Sequence, residues 1–262
     1  MNIILITGAS SGIGMEFALQ MDKYFAHIDE FWLVARNRAK LEEIKKALRH
    51  ETRIFPMDIT KKETMDVLEE ALGKAGSSEK KSVIRVLINC AGYGLMGDFE
   101  GQDSEGALGM IRLNCEALTG LTQRMLPHMK KGSRIIQMAS SAAFLPQPGF
   151  AVYAASKSYV LSFSRALGEE LKRKGIYVTS VCPGPVDTPF FEIAESTGST
   201  LAVKKYTMVS ADRVVALALK DSYRKRSISV CSLPIRMFEI LSKVLPHDFL
   251  IRLVGLMKRK GI

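Results

Sequence analysis

Ile3-Ile4-Leu5-Ile6-Thr7-Gly8-Ala9-Ser10-Ser11-Gly12-Ile13-Gly14 decides how the rest of the chain is read. Residues 3–7 are apolar on both faces and stop at glycine, which predicts a buried strand. Residues 13–25 then show helical periodicity. The glycines between them allow a tight turn and close approach of the backbone to a pyrophosphate. The helix start adds free N–H groups and the positive end of a dipole. The spacing is GxxxGxG and not GxGxxG, so the position of the loop at the first strand-to-helix turn carries as much as its composition. The competing reading is a helix-capping turn with no ligand.

The same alternation continues outward. Residues 31–35, 52–57, 83–89, 133–139 and 176–182 are apolar bursts that read as strands. Residues 38–49, 61–72, 104–129 and 153–174 read as helices between them. Residues 73–82 are polar and read as a loop. Residues 211–220 predict a further helix and 228–233 a last strand. Strands apolar on both faces and separated by helices mean a parallel sheet covered on both sides. With right-handed crossovers this is an α/β doubly wound, Rossmann-like fold of three α/β/α layers. No repeat or linker divides it. The chain is read as one domain over 1–262, with 234–262 as a helical, apolar and basic extension.

Composition bounds the function. The 262 residues are 47% apolar and 24% charged, which excludes a disordered chain, a collagen and a multi-span membrane protein. The net charge is +10, and from residue 220 onward there are 10 basic and 3 acidic residues, so the surplus sits mostly at that end. Cys90, Cys115, Cys182 and Cys231 form no CxxC pair and have no histidine at ligand spacing, so no metal is expected and the thiols read as reduced. No basic leader and no apolar run of about 18 residues is present, so the expected location is cytoplasmic.

At the end of the second strand, Leu33-Val34-Ala35-Arg36-Asn37 has no acid to accept from a ribose 2′-hydroxyl. Arg36 stands there instead, and a guanidinium fork suits a 2′-phosphate. This predicts NADP(H) as the preferred cofactor over NAD(H). Tyr153 and Lys157 lie four apart on one helix face. An ammonium beside a phenol lowers the phenol pKa and equips Tyr153 for acid–base work. Ser140, at the end of the fifth strand, can donate to a carbonyl oxygen.

Taken in order, these motifs resemble the short-chain dehydrogenase/reductase family over about residues 3–188. They are TGASSGIG at 7–14, Asp58, Asn89-Cys90-Ala91-Gly92, Asn114, Ser140, Tyr153/Lys157, and Pro183-Gly184 with Thr188. The resemblance implies hydride transfer between a nicotinamide and a ketone, aldehyde or alcohol carbon. It gives Tyr153 the proton exchange with the substrate oxygen, Lys157 the ribose contact and the lowering of the tyrosine pKa, and Ser140 the polarisation of the carbonyl. Asn114 would hold a water linking Lys157 to solvent. Gly8, Ser10, Ser11, Gly12, Ile13, Gly14, Arg36, Asp58, Ile59, Asn89, Ala91 and Gly92 would contact the cofactor, together with Tyr153, Lys157, Pro183, Gly184, Val186 and Thr188. The family pattern often has asparagine where Cys90 stands, and a basic residue before Gly12 that is missing here, which leaves Arg36 with most of the 2′-phosphate recognition.

The resemblance also places the substrate against Tyr93, Ala142, Phe144, Phe150, Pro185, Phe190 and Phe191, an apolar set that favours an apolar carbonyl or alcohol. Residues 185–208, with Ile193 and Leu201, are long enough to close as a lid. A homodimer or homotetramer is implied. Beyond Pro234, Ile235, Phe238, Leu241, Val244, Leu245, Phe249, Leu250, Leu253, Leu256 and Met257 recur at helical spacing. Arg236, Lys243, Arg252, Lys258, Arg259 and Lys260 are mixed among them. Three readings stay open for this extension: packing on the substrate opening or a second subunit, peripheral contact with an anionic membrane, and nucleic acid. The last has no recognition motif behind it, and no nucleic-acid partner is expected. A non-catalytic NADP(H)-sensing protein of the same fold is the alternative function. The complete Ser140/Tyr153/Lys157/Asn114 set weighs against it.

Overall fold

The computed structural model describes residues 1–75, 81–197 and 208–259. Leu201 and Lys260 therefore lie outside the described residues, as does much of the expected lid. Seven parallel strands form the sheet: β1 (Asn2–Thr7), β2 (Glu30–Ala35), β3 (Glu51–Pro56), β4 (Val83–Asn89), β5 (Arg134–Met138), β6 (Tyr177–Val181) and, paired with β6, a short strand at Ile228–Ser229. Their order from one edge is β3-β2-β1-β4-β5-β6 and then the short strand. The order reverses between β1 and β4, and a doubly wound sheet opens its ligand crevice at that point, beyond the carboxyl ends of the strands.

The strands sit where they do because both faces are covered. Ile4 and Ile6 of β1 pack with Phe17 and Met21 of α1 (Gly12–Tyr24), Leu41 of α2 (Arg38–Ala47) and Val214 and Val215 of a helix at Ala211–Tyr223. Ile3 and Leu5 point to the other face. There they meet Leu68 and Leu72 of α3 (Lys62–Ala75), Leu121 and Met125 of a helix at Leu118–Met125, and Leu167 and Leu171 of a helix at Ala151–Leu171. A strand alternating between two apolar layers accounts for its unbroken apolar sequence.

Among the described residues the remaining α-helices are, in chain order, α4 (Ser104–Ile111), α5 (Leu118–Met125), α6 (Ala151–Leu171), α7 (Phe190–Ala194), α8 (Ala211–Tyr223), α9 (Leu233–Val244) and α10 (His247–Arg259). Two-residue strands β7 (Val186–Asp187) and β8 (Val209–Ser210) pair with each other, and β9 is the Ile228–Ser229 strand.

The expected elements are present with local differences. The helix expected over 104–129 is interrupted between α4 and α5 by a π-helical segment, Arg112–Ala117, and ends in a 3₁₀ turn at Leu126–His128. α3 runs through Gly73 to Ala75, so the following loop begins later than expected. The last strand stops at Ser229, because Leu233-Pro234 starts α9, and proline is well suited to a first helical turn.

Candidate active site

The Gly8–Gly14 loop leaves β1 and enters α1 at the crevice. Gly8 has φ +66°, and a Cβ there would lie 2.8 Å from the backbone of Ala91, so the close approach requires glycine. A Cβ on Gly14 would run into the Gly8 carbonyl. Thr7 Oγ1 accepts from the Cys90 and Ala91 N–H groups at 3.1 and 3.2 Å, tying the loop after β4 to the loop after β1. Ser11 caps α1 with extended backbone, and its side chain makes no capping bond to the helix.

These loops form one wall of a cleft of about 800 Å³. Of the expected cofactor residues, Gly8, Ser10, Ser11, Gly12, Ile13, Gly14, Arg36, Asp58, Ile59, Ala91, Gly92 and Thr188 line it. Arg36 is exposed at its rim, and its charge helps hold the Asp58 carboxyl below the usual range. Burial is the largest influence on Asp58 and acts the other way. The Thr60 backbone and hydroxyl bonds, with Arg36 and Lys61, outweigh it. Sequence reasoning did not single out Asn37, Thr60, Arg112 or Leu113, which also line the cleft. Arg112 sits on the π-helical segment, and its other end is ion-paired with Glu105 at 2.6 Å.

Several expected contacts lie elsewhere. Asn89 donates its amide to Thr122 Oγ1 and Gln137 Oε1, both at 2.9 Å, and so staples β4 to β5 and α5 instead of lining the cleft. Val186 is buried in the core beside α8. The Pro183 carbonyl accepts from Ser141 N and the Pro185 carbonyl from Val209 N. Gly184 faces Ile235 of α9, whose Cδ1 would be 2.8 Å from an added Cβ. Phe144 points away from the cleft to Val160, Cys182 and Ile235, and its ring meets Phe238 at 6.3 Å.

Behind the cleft, α6 carries Tyr153 and Lys157, both buried and neither part of the cleft lining. The Lys157 ammonium lies 5.6 Å from the Tyr153 ring centroid and donates to the Met138 carbonyl at 2.7 Å. Gly92 joins them, since a Cβ there would stand 2.9 Å from Asn114 Oδ1 and 3.3 Å from Lys157 Nζ. Asn114, buried in the π-helical segment, is committed at both ends. Its Oδ1 accepts from Tyr93 N at 3.2 Å, and its Nδ2 donates to Tyr93 O at 2.9 Å and Ser156 Oγ at 3.0 Å. Its side chain thus positions the Gly92–Tyr93 turn. Ser140, at the end of β5, accepts from Ala142 N at 3.2 Å, and its hydroxyl acts on the Tyr153 phenol to lower its pKa.

Tyr153 is boxed by aromatic rings. Phe150 stacks on it at 4.2 Å, and Phe190 of α7 tilts against it at 5.5 Å and meets Phe191 edge-on. A Cβ on Gly94 would come 2.6 Å from the tyrosine ring. Ala142 belongs to the same cluster, and Tyr93 and Phe190 also reach the cleft wall. The electrostatics differ from the sequence expectation. Burial pushes the Tyr153 phenol up to about 12, with the Ser140 bond opposing it. Burial pulls the Lys157 ammonium down to about 8, against the influence of Cys90, Cys115 and Cys182. Burial thus decides the phenol's direction, against the sequence expectation of a lowered pKa. The same burial raises the Cys90 and Cys182 thiols to about 12, which suits inert thiols. Among the described residues no cluster of metal-ligating side chains is present, and no helix is long and apolar enough to cross a membrane.

A glycine loop at the switch point, a buried tyrosine and lysine on one helix, and a serine after the neighbouring strand define a doubly wound oxidoreductase. The short chain dehydrogenase family profile matches residues 2–197, and the chain belongs to that family of oxidoreductases acting on CH–OH groups. It is 34% identical over 193 residues to an uncharacterized oxidoreductase of Staphylococcus epidermidis, covering 72% of this chain and 80% of that one. It is 28% identical over 214 residues to 17-beta-hydroxysteroid dehydrogenase type 3 of Rattus norvegicus, covering 79% of this chain and 67% of that one. Among solved structures it is similar to a short-chain dehydrogenase from Sphingobium yanoikuyae in complex with NADPH. That match has a TM-score of 0.77 and 27% identity, and covers 93% of each chain.

Proposed function

We propose that the chain reduces an apolar ketone with NADPH and, in reverse, oxidises the matching secondary alcohol. The observation that carries this reading is the clustering of Ser140, Tyr153 and Lys157 behind the cleft, with Phe150 and Phe190 against the tyrosine ring and Phe191 edge-on to Phe190. The rat relative's steroid name and the NADPH in the Sphingobium structure point the same way.

The donor set fits a dinucleotide. The loop approaches so closely that Cβ atoms at Gly8 and Gly14 would fill it, the α1 N-terminus is free of side-chain caps, and Arg36 stands where an acid would select NAD(H). Gly8–Gly14 would hold the pyrophosphate, Arg36 the 2′-phosphate, and Asp58 and Ile59 the adenine end. Once bound, the cofactor supplies or accepts hydride at the carbonyl carbon. Every other part of the reaction falls to the chain. Ser140 donates to the carbonyl oxygen and polarises it. Tyr153, held neutral by burial, gives its proton to the same oxygen during reduction and takes it back in oxidation. Lys157 holds positive charge beside the phenol and favours the phenolate left behind. Phe150 and Phe190 exclude water. A ketone reaches Tyr153 only when Phe190 and α7 move aside, so residues near α7 act as the gate.

The test is kcat/KM for a panel of steroid, acyl and aromatic ketones with each cofactor. NADPH should exceed NADH by about ten-fold or more, the worth of one charged hydrogen bond, and Arg36→Asp should reverse the preference. Higher kcat/KM with NADH in the unaltered chain would overturn the cofactor assignment. Activity on none of the panel would favour the sensing protein.

A further inference from the structure

We infer that α9 and α10 form a docking surface for an anionic lipid bilayer, lying on the membrane and holding the substrate side of the fold against it. The observation is that α9 packs inside out. Its inward face carries Glu239 and Ser242, which are 5% and 4% exposed, beside Ile235. Glu239 is held there by Lys243 at 2.6 Å and Arg236 at 3.8 Å, and Ser242 Oγ donates to the Glu239 carbonyl. Its outward face carries Met237, Ile240, Leu241 and Val244, all at least 44% exposed and spaced i, i+3, i+4, i+7. α10 turns an apolar residue inward but leaves others exposed. Leu250 is buried, while Phe249, Leu253 and Leu256 are 59%, 46% and 55% exposed at i, i+4, i+7. Two consecutive helices of 12 and 13 residues thus turn continuous apolar stripes away from the protein. A soluble face this apolar has an occupant.

Charge selects the occupant. Residues 233–259, which form α9, α10 and the turn between them, carry five basic and two acidic side chains. Apolar stripes set among basic groups match a bilayer bearing anionic headgroups. A second copy of the chain is a poorer match, because two-fold pairing through this surface would press the same positive region against itself. Position gives the contact a consequence. The chain leaves β9 at the carboxyl edge of the sheet, and α9 then packs Ile235 on Gly184 and Phe238 on Phe144, beside Ser140. A bilayer under α9 and α10 therefore lies one helix away from the loops around the proposed site, a suitable arrangement for an apolar substrate drawn from lipid.

Co-sedimentation of the full chain with vesicles decides this without any turnover, so its outcome stands apart from the proposed reaction. Vesicles of equimolar phosphatidylcholine and phosphatidylglycerol should bind the chain at least about ten-fold more strongly than phosphatidylcholine alone, and added salt should weaken that binding. The exposed triple variant Ile240→Ser, Phe249→Ser, Leu253→Ser should lose about ten-fold or more of the partitioning with unchanged melting temperature. The single variant Arg252→Glu supplies a second reading and should reduce the preference for anionic vesicles. Binding that is absent from both vesicles, or unchanged in the triple variant and in Arg252→Glu, overturns the inference. So does a dimer that the triple variant dissociates in the absence of vesicle binding, which would identify a second copy as the occupant.

Discussion

Tyr153 concentrates the chemistry, and its surroundings set what pH does. The sequence places Tyr153 and Lys157 on one helix face, but periodicity carries no information about how deeply a ring is buried. Phe150, Phe190 and Gly94 close over it, and burial holds the phenol up at about 12 while Lys157 falls to about 8. A phenol this weakly acidic is an acid at neutral pH, ready for reduction and poor as a base. Between about pH 6 and 8, kcat/KM for alcohol oxidation should therefore rise about ten-fold per unit, as the phenolate fraction grows. Ketone reduction should stay flat until Lys157 loses its proton near 8 and fall above it. A flat oxidation profile across neutrality would show that Tyr153 is not the base. Gly92 makes the neighbouring case. Gly92→Ala would push against Asn114 and Lys157, and turnover should fall by about 10²-fold with little change in melting temperature, as read by kinetics beside calorimetry.

At the level of elements, the strands and most helices were legible because each strand is apolar on both faces and each helix on one. The π-helical segment at Arg112–Ala117 was not legible. It differs from an α-helix by the hydrogen-bonding partner of each N–H, and the apolar spacing of 104–129 fits either. It is also the segment that carries Asn114 and turns Arg112 into the cleft. The join between α1 and β3 was equally hidden, since it depends on one buried acid. Asp22 accepts from the Arg49 and His50 backbone N–H groups at 3.0 Å, from Arg49 Nε at 3.1 Å, and lies 2.7 Å from His50 Nδ1. Burial opposes its ionisation, but the bonds from His50 and Arg49 together lower it from 3.8 to about 2. A lowered carboxyl stabilises the fold above its unfolded pKa and loses that contribution as pH falls from about 4 toward 2. Asp22→Asn should cost about 2 kcal/mol at neutral pH and lower the melting temperature by several degrees. The gap between the two proteins should narrow as pH falls through that window. A gap independent of pH would mean that packing, not charge, holds the join.

The whole molecule shows how charge and apolar surface divide between its ends. The nucleotide cleft lies at the β1/β4 switch point, with Arg36 at its rim, while α9 and α10, after the last strand, carry five basic against two acidic side chains. The sequence revealed apolar stripes there but could not say which way they face, because a periodic stripe looks the same turned inward or outward. Glu239 and Ser242 occupy the inward positions and decide the direction. The central claim is that this fold brings Ser140, Tyr153 and Lys157 together to handle a proton beside a bound dinucleotide. The most direct measurement is NADPH binding and turnover of a reducible ketone in Tyr153→Phe, side by side with the unaltered chain. The account predicts binding within about two-fold and turnover lower by at least 10³-fold, since only the proton-carrying hydroxyl is removed. Turnover retained in Tyr153→Phe would contradict it.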